Sequence, residues 1–358
     1  MSSRTRGRIG GRRFCPRSND RRLGETNRPV EEYGDKCGNK EEGCIRIMTN
    51  NINGLSVKSQ LKLSKLKSFI DDFDIDIIGC QEINVYWNNC KFKDRLHQKL
   101  RGWRESCTCS VAYNTTEKGS DIAQRGGTAL ITVGSMVCRK IETGFDKTKL
   151  GRWQWTRFRG AHNRVVRIIN VYRPCYGDND GSVYQQHTRL FFKKKDPREP
   201  RAAWFADLAE EIQAWKETGD SIIIMGDWNE DVTSNHFQNW KNDLHLRDCC
   251  LNSLDDGQKA PATYILGSKP IDTILCTEGV EVVKAGYLAF GEGIGDHRQV
   301  YIDVKLTSIL GMKMPPVNSA KARRLKNNDP RVKRRYNRIL EQYLRQHRFK
   351  ERADLVQK

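Results

Sequence analysis

Residues 221–229 read Ser-Ile-Ile-Ile-Met-Gly-Asp-Trp-Asn, an apolar run rich in isoleucine that stops at Gly226 and gives way to Asp227 and Asn229. Isoleucine fits the pleated surface of a sheet, and a run this short bounded by glycine reads as a buried strand. Asp227 and Asn229 then stand at the strand's end. The same arrangement recurs outward along the chain. Asn51 and Asn53 follow Ile-Arg-Ile-Met-Thr, and Gln81-Glu82 follow Ile-Asp-Ile-Ile-Gly-Cys. Tyr172 closes Val-Val-Arg-Ile-Ile-Asn-Val, and Asp296-His297 stand just before Val-Tyr-Ile-Asp-Val. If these strands share a layered sheet, their polar ends converge on one edge, where α/β proteins place their sites.

Around these ends the chain alternates strand-like with helix-like segments, which predicts an α/β (α+β) domain. Nine strands are expected, at Ile45–Thr49, Ile75–Cys80, Thr128–Val133, Trp153–Phe158, Val165–Tyr172, Ile222–Met225, Ile271–Leu275, Val280–Val283 and Val300–Val304. Leu63, Leu66, Ile70 and Phe73 recur at helical spacing, as do Trp204, Leu208, Ile212 and Trp215 behind Pro200. Residues 173–199 show little periodicity and read as a long surface excursion. Trp153 and Trp155 alternate onto one strand face, which predicts core packing, whereas Trp87 is open to either a core or a cleft role.

The 358 residues carry a net charge of +19, which points to a polyanionic partner. That charge is uneven. Residues 1–43 hold 11 basic and 7 acidic side chains, residues 311–358 hold 15 and 4, and the 44–310 stretch is left with +4. The expected organisation is a disordered basic arm (1–43), a catalytic domain (44–310), and a basic linker with an amphipathic helix (311–358). In that helix Val332, Tyr336, Ile339, Tyr343 and His347 form one face behind Asp329-Pro330. No apolar run approaches a membrane span and the first residues lack a secretory h-region, so a soluble nuclear or cytoplasmic protein is expected. The 12 cysteines are scattered without zinc-ligand spacing and are expected to be reduced thiols.

Glu82, Asp227, Asp272 and Asp296 brought to one edge would repel one another unless a cation neutralised them. An oxygen-rich set with few imidazoles suits Mg²⁺ or Mn²⁺ better than zinc. Asp272 lies inside Pro-Ile-Asp-Thr-Ile-Leu, where a buried charge needs a partner, and His297 is the natural one.

The ordered series Asn51-Ile-Asn-Gly-Leu, Ile78-Gly-Cys-Gln-Glu82, Asn170-Val-Tyr172, Gly226-Asp-Trp-Asn229, Ile271-Asp272 and Gly295-Asp-His297 closely resembles the endonuclease/exonuclease/phosphatase superfamily, over about Ile45–Leu306. The resemblance implies a four-layered α/β sandwich with two mixed β-sheets, here flanked by basic disordered or helical arms. It further implies a metal site with Glu82 as principal ligand, Asn53 beside it and Asp296 in support. Asn51 and Asn229 would hold phosphate and catalytic side chains in place, Tyr172 would contact the phosphate, Asp227 would orient or deprotonate the attacking water, and Asp272 would pair with His297 over the scissile phosphate. Asn53 and Asn84 stand where abasic-site repair enzymes usually carry Asp and Lys, so the pattern departs from that branch. Asn51-Ile-Asn-Gly-Leu instead resembles the endonuclease domain of non-LTR retrotransposons, and the tail more loosely resembles the segment preceding a reverse transcriptase.

The function implied is a Mg²⁺-dependent DNA endonuclease of retrotransposon type, monomeric, with DNA as partner, RNA or a reverse transcriptase as further ones, and no membrane. A phosphatase or lipid phosphodiesterase of the same superfamily, or a catalytically dead nucleic-acid-binding module, are the alternatives.

Overall fold

The computed structural model describes residues 33–56, 60–101, 103–104, 106–312 and 330–349. Its strands are β1 (Cys44–Asn51), β2 (Ile77–Gln81), β3 (Cys107–Ala112), β4 (Thr128–Val133), β5 (Lys140–Phe145), β6 (Trp153–Arg159), β7 (Val165–Tyr172), β8 (Ser221–Asp227), β9 (Leu246–Asp248), β10 (Asp272–Thr277), β11 (Val282–Tyr287) and β12 (Val300–Lys305). The helices are α1 (Leu61–Asp72), α2 (Leu96–Leu100), α3 (Val183–Lys194), α4 (Pro200–Glu217), α5 (Asn235–Asp243), α6 (Leu306–Leu310) and α7 (Pro330–Gln346). The strands form two six-stranded sheets, ordered β11-β12-β1-β2-β4-β3 and β5-β6-β7-β8-β10-β9.

Each sheet is built around a central parallel pair, β1 with β2 and β7 with β8, flanked by antiparallel neighbours. Parallel strands need a crossover. Helix α1 supplies it in the first sheet, and α3 with α4 in the second. The two strands of a parallel pair finish on the same edge, and an antiparallel neighbour starts there. This topology places the ends of β1, β2, β7 and β8 and the start of β10 where the sequence carries its polar residues.

Period-two alternation divides the apolar side chains between layers. Ile47, Ile77, Ile168, Ile223 and Met225 point into the core between the sheets. Met48, Ile78 and Ile131 face Leu63, Leu66 and Ile70 of α1 on one outer side. Ile169, Ile222 and Ile224 face Trp204, Leu208 and Ile212 of α4 on the other. The result is helix, sheet, sheet, helix: the four-layered sandwich with two mixed sheets. Gly226 makes the β7–β8 contact possible, since a Cβ there would sit 2.0 Å from the Val171 carbonyl oxygen.

Several local expectations change. The strands missed by sequence, β3, β5 and β9, are all edge strands, and the strand placed at Val280–Val283 is shifted to Val282–Tyr287 with an irregularity at Val282/Lys284. The 173–199 excursion contains α3, capped by Ser182. Residues 33–43, grouped with the basic arm, lie against the first sheet: the Asp35 amide donates to the Tyr287 carbonyl at 2.8 Å, and Tyr33 packs on the inter-sheet core. The rest of the arm, residues 1–32, and the linker at 313–329 lie outside the described residues. Trp87 is buried at 4% exposure, and Trp153 is buried beside Trp204, with Trp155 packed on Trp215. The described cysteines are all unpaired thiols. No described helix is long and apolar enough to cross a membrane.

His187 on α3 is buried, and neither ring nitrogen has a hydrogen-bond partner among the described residues. Burial, assisted by the nearby Arg152 cation, holds it down at about 3 against an ordinary 6.5. The unfolded chain therefore takes up a proton near pH 6.5 that the folded chain refuses, and stability falls as pH drops below that value by up to about 1.4 kcal/mol per pH unit. Urea midpoints measured at pH 7 and pH 5 should differ less in His187→Leu than in the wild type. Equal differences would rule this out.

Candidate active site

The end of each central strand carries its side chain into one shared network. At the end of β1, the Asn51 amide donates to Glu82 Oε1 at 3.2 Å and to Asp227 Oδ2 at 2.8 Å, so one side chain bridges the two sheets. Its oxygen accepts from the Asn53 backbone at 3.0 Å. Tyr172, at the end of β7, donates its hydroxyl to the same Glu82 oxygen at 2.8 Å. Asp227, at the end of β8, accepts from the Asn229 backbone at 2.9 Å. Asp272, opposite Asp227 in the β8–β10 register, holds His297 Nδ1 at 2.8 Å. One ligand atom each from Asp227, Asp272 and His297 lie within 4.8 Å of one another. At the more exposed rim, the Asn53 amide donates to Asp296 Oδ2 at 3.0 Å.

Three of these residues leave their strands through the left-handed region. The φ angles of Asn53, Glu82 and Asn229 are 45°, 50° and 44°. Asparagine tolerates this conformation, whereas a glutamate held there costs roughly 1–2 kcal/mol. The turn at Glu82 also directs its carbonyl to the Gly54 amide at 2.6 Å, joining the ends of β1 and β2.

Burial separates the protonation states. Asp227 is fully buried, and burial first, then the Asp272 charge, push it up to about 7. Burial alone would lower the His297 imidazole, but Asp272, Asp227 and Asp296 outweigh it and hold it up at about 10. At neutral pH the site therefore offers a carboxylate near its titration point beside a charged imidazolium. The Tyr172 hydroxyl is raised well above its ordinary value by burial and by Glu82 and Asp227, and so stays a donor.

All nine residues singled out from the sequence meet at this edge, and others join them. The Lys62 amine of α1 donates to the Asn53 carbonyl at 2.9 Å. Arg173 and Arg201 clamp the turn after β8. Arg201 donates to the Asn229 carbonyl at 2.7 Å and the Pro174 carbonyl at 2.9 Å, while Arg173 pairs with Glu230 at 2.6 Å. The Asn229 amide returns a bond to the Arg173 carbonyl at 2.7 Å. Arg173 and Glu230 adjoin Tyr172 and Asn229 in sequence, which was the signal available; Lys62 looks like any solvated helix lysine.

Residues 48–297, well over half the chain, match the sequence profile of the Endonuclease/Exonuclease/phosphatase family. The chain belongs to that family. Among family relatives, a DNA-(apurinic or apyrimidinic site) endonuclease of Arabidopsis thaliana is 25% identical over 183 residues, 46% of this chain and 50% of the relative. The chain thus spans about half the length of that curated relative. The human Nocturnin catalytic domain superposes with a TM-score of 0.52 at 16% identity, over 74% of this chain and 95% of that one. The 3′ phosphatase NExo from Neisseria, bound to product DNA hairpin, gives 0.51 at 18% identity, over 73% and 99%. At these identities the likeness establishes the family fold alone.

The donor set suits the divalent cation that the family implies. Among the described residues, Glu82, Asp227 and Asp296 form no ion pair with lysine or arginine, and the Lys62 amine and the His297 imidazolium offset part of their charge. Glu82, Asn53 and Asp296 offer oxygen only, as a hard cation prefers. The Asp227, Asp272 and His297 trio is close enough to ligate, yet an imidazole that stays protonated up to about 10 is a poor ligand. Replacing Asp272 with Asn removes the first charge that holds the His297 proton. The His297 titration, followed by NMR of its ring, should fall from about 10. An unmoved titration would mean that other carboxylates hold the proton.

Proposed function

We propose that this chain is a divalent-metal-dependent phosphodiester hydrolase that nicks DNA, of the type associated with retrotransposon reverse transcriptases. The observation that carries the proposal is the placement of Asp227 within 4.8 Å of the Asp272–His297 pair, between the amides of Asn51 and Asn229. In-line hydrolysis needs a base for water, a donor for the phosphate oxygens and fixed geometry. Asp227, titrating at about 7, accepts the proton of a water held against it. Asn51 and the Asn229 backbone fix the carboxylate's orientation. His297, charged and anchored by Asp272, donates to a non-bridging oxygen. Tyr172 donates from the Glu82 side. Glu82, with Asn53 and Asp296, would hold Mg²⁺ or Mn²⁺, which when bound neutralises phosphate charge and the departing oxygen.

The Arabidopsis relative's endonuclease activity on DNA supports a nucleic-acid substrate. Asn84 favours the retrotransposon branch over repair: its side-chain oxygen accepts from the Gly126 amide at 2.7 Å and so tethers a loop where repair enzymes carry a cation. The basic flanks favour a polyanion over small phosphoesters.

Supercoiled plasmid should be nicked in Mg²⁺, and Asp227→Asn and His297→Ala should each lose about 10²–10⁴-fold, Asp227→Asn with an unchanged melting temperature and His297→Ala with a lower one, since it leaves Asp272 buried without its partner and is assayed well below that temperature. Nicking by both variants at the wild-type rate would sink the mechanism. Abasic oligonucleotides and inositol phosphates run in parallel separate the branches. The exposed helix α7 carries Arg331, Arg334, Arg335, Arg338 and Arg345 beside the exposed apolar side chains of Val332, Tyr336, Ile339 and Tyr343. Removing 311–358 should flatten the dependence of DNA affinity on salt by about 0.9 in log–log slope for each phosphate that the tail neutralises, with the pH–rate profile unchanged. A slope equal to that of the full chain would exclude the tail from DNA binding.

A further inference from the structure

The segment between β7 and α3 places an aromatic stack beside the catalytic edge. Tyr176 is 67% exposed. Its ring lies 4.6 Å from that of Tyr184, at 30°, near the start of α3. Tyr184 is half-buried and lies against Glu199, the N-cap of α4, so the lower ring is backed by two helices. The chain on both sides of Tyr176 is fastened. Arg201 holds the Pro174 carbonyl at 2.9 Å, and the Ser182 hydroxyl and Gln185 amide hold the Gly177 carbonyl at 3.0 and 3.3 Å.

The stack borders the site through Gly126. A Cβ on Gly126 would lie 2.8 Å from Val183, the residue before Tyr184, and 3.7 Å from the Tyr172 ring. Tyr172 in turn bonds Glu82. Arg125, exposed on the same wall, accepts a bond from Gln186 of α3 through its carbonyl at 3.2 Å. An open aromatic face on an immobilised backbone, with phosphate chemistry next to it, matches the way proteins hold unstacked bases.

We propose that Tyr176, backed by Tyr184, stacks on a DNA base that leaves the helix beside the cleaved phosphate, so that the chain prefers DNA unpaired or weakly stacked at that point. The inference rests on the nuclease reading for its substrate class, yet it concerns binding and can be measured without turnover. Full-length chain in EDTA is titrated with two duplexes carrying 2-aminopurine, one intact and one with the fluorescent base in a single-nucleotide bulge. Wild type and Tyr176→Phe should bind the bulged duplex more tightly than the intact one and quench its fluorescence. In Tyr176→Ala the bulged-to-intact affinity ratio should fall about 10-fold, within the range of one base–aromatic stack. Tyr176→Leu, apolar without a flat face, should behave like the alanine variant and replaces it if alanine lowers the melting temperature.

An unchanged ratio and unchanged quenching in both variants would overturn the platform. Tyr176-dependent quenching without any Mg²⁺-dependent nicking would keep the platform and remove the hydrolase reading. Nicking with the same bulge preference in wild type and Tyr176→Ala would do the reverse, and failure of the wild type to bind either duplex would remove the platform.

Discussion

The two hydrogen bonds donated by the Asn51 amide hold the site together. Apolar side chains fill the space between the sheets along most of its length, and there the packing is set by volume. At one end Asn51 ties β1 of the first sheet to Asp227 of the second and to Glu82 beside it. Its oxygen is taken by the Asn53 backbone, so the amide cannot be reversed without turning an oxygen toward two carboxylates. Tyr172 and Asn170 of the second sheet add ties to Glu82 and Gln81 of the first, and Asn51 is the side chain that touches both carboxylates. Its loss would leave Asp227 buried without one of its donors, a cost on the order of 1–3 kcal/mol.

The central strands were legible because burial on both faces writes itself as a continuous apolar run. Ser221–Asp227 feeds both the inter-sheet core and the α4 layer, so every residue in it is constrained. Edge strands β3, β5 and β9 lack that signal: β5 has no buried residue, and most of β3 is half-buried. Helix α3 was hidden for a related reason. Its buried face is Gln186, His187, Leu190 and Phe191, half of it polar, so the stripe carries little apolar content. Trp87 could be settled only by seeing what surrounds it.

At the site, strand-end position pointed to most of the residues that meet at this edge, while Asp272 was singled out by its place inside an apolar run. Partners supplied from elsewhere in the chain were not readable. The hold of Arg201 on Asn229 joins positions 28 apart, and the Lys62 contact needs α1 to lie across the end of β1. The left-handed backbone at Glu82 is likewise invisible in the sequence, since glutamate gives no hint of that conformation.

The pairing of Asp272 with Asp227 across β8 and β10 has one more consequence. Side chains alternate faces along a strand, so a slip of one residue between these strands would turn Asp272 away from His297. The ladder of backbone hydrogen bonds is thus the ruler that sets the carboxylate spacing. Misregistered molecules could keep their secondary structure and most of their compactness while losing the elevated His297 titration. The ring resonance of that histidine would then count correctly assembled molecules in a preparation, a measure of folding quality that circular dichroism could not provide.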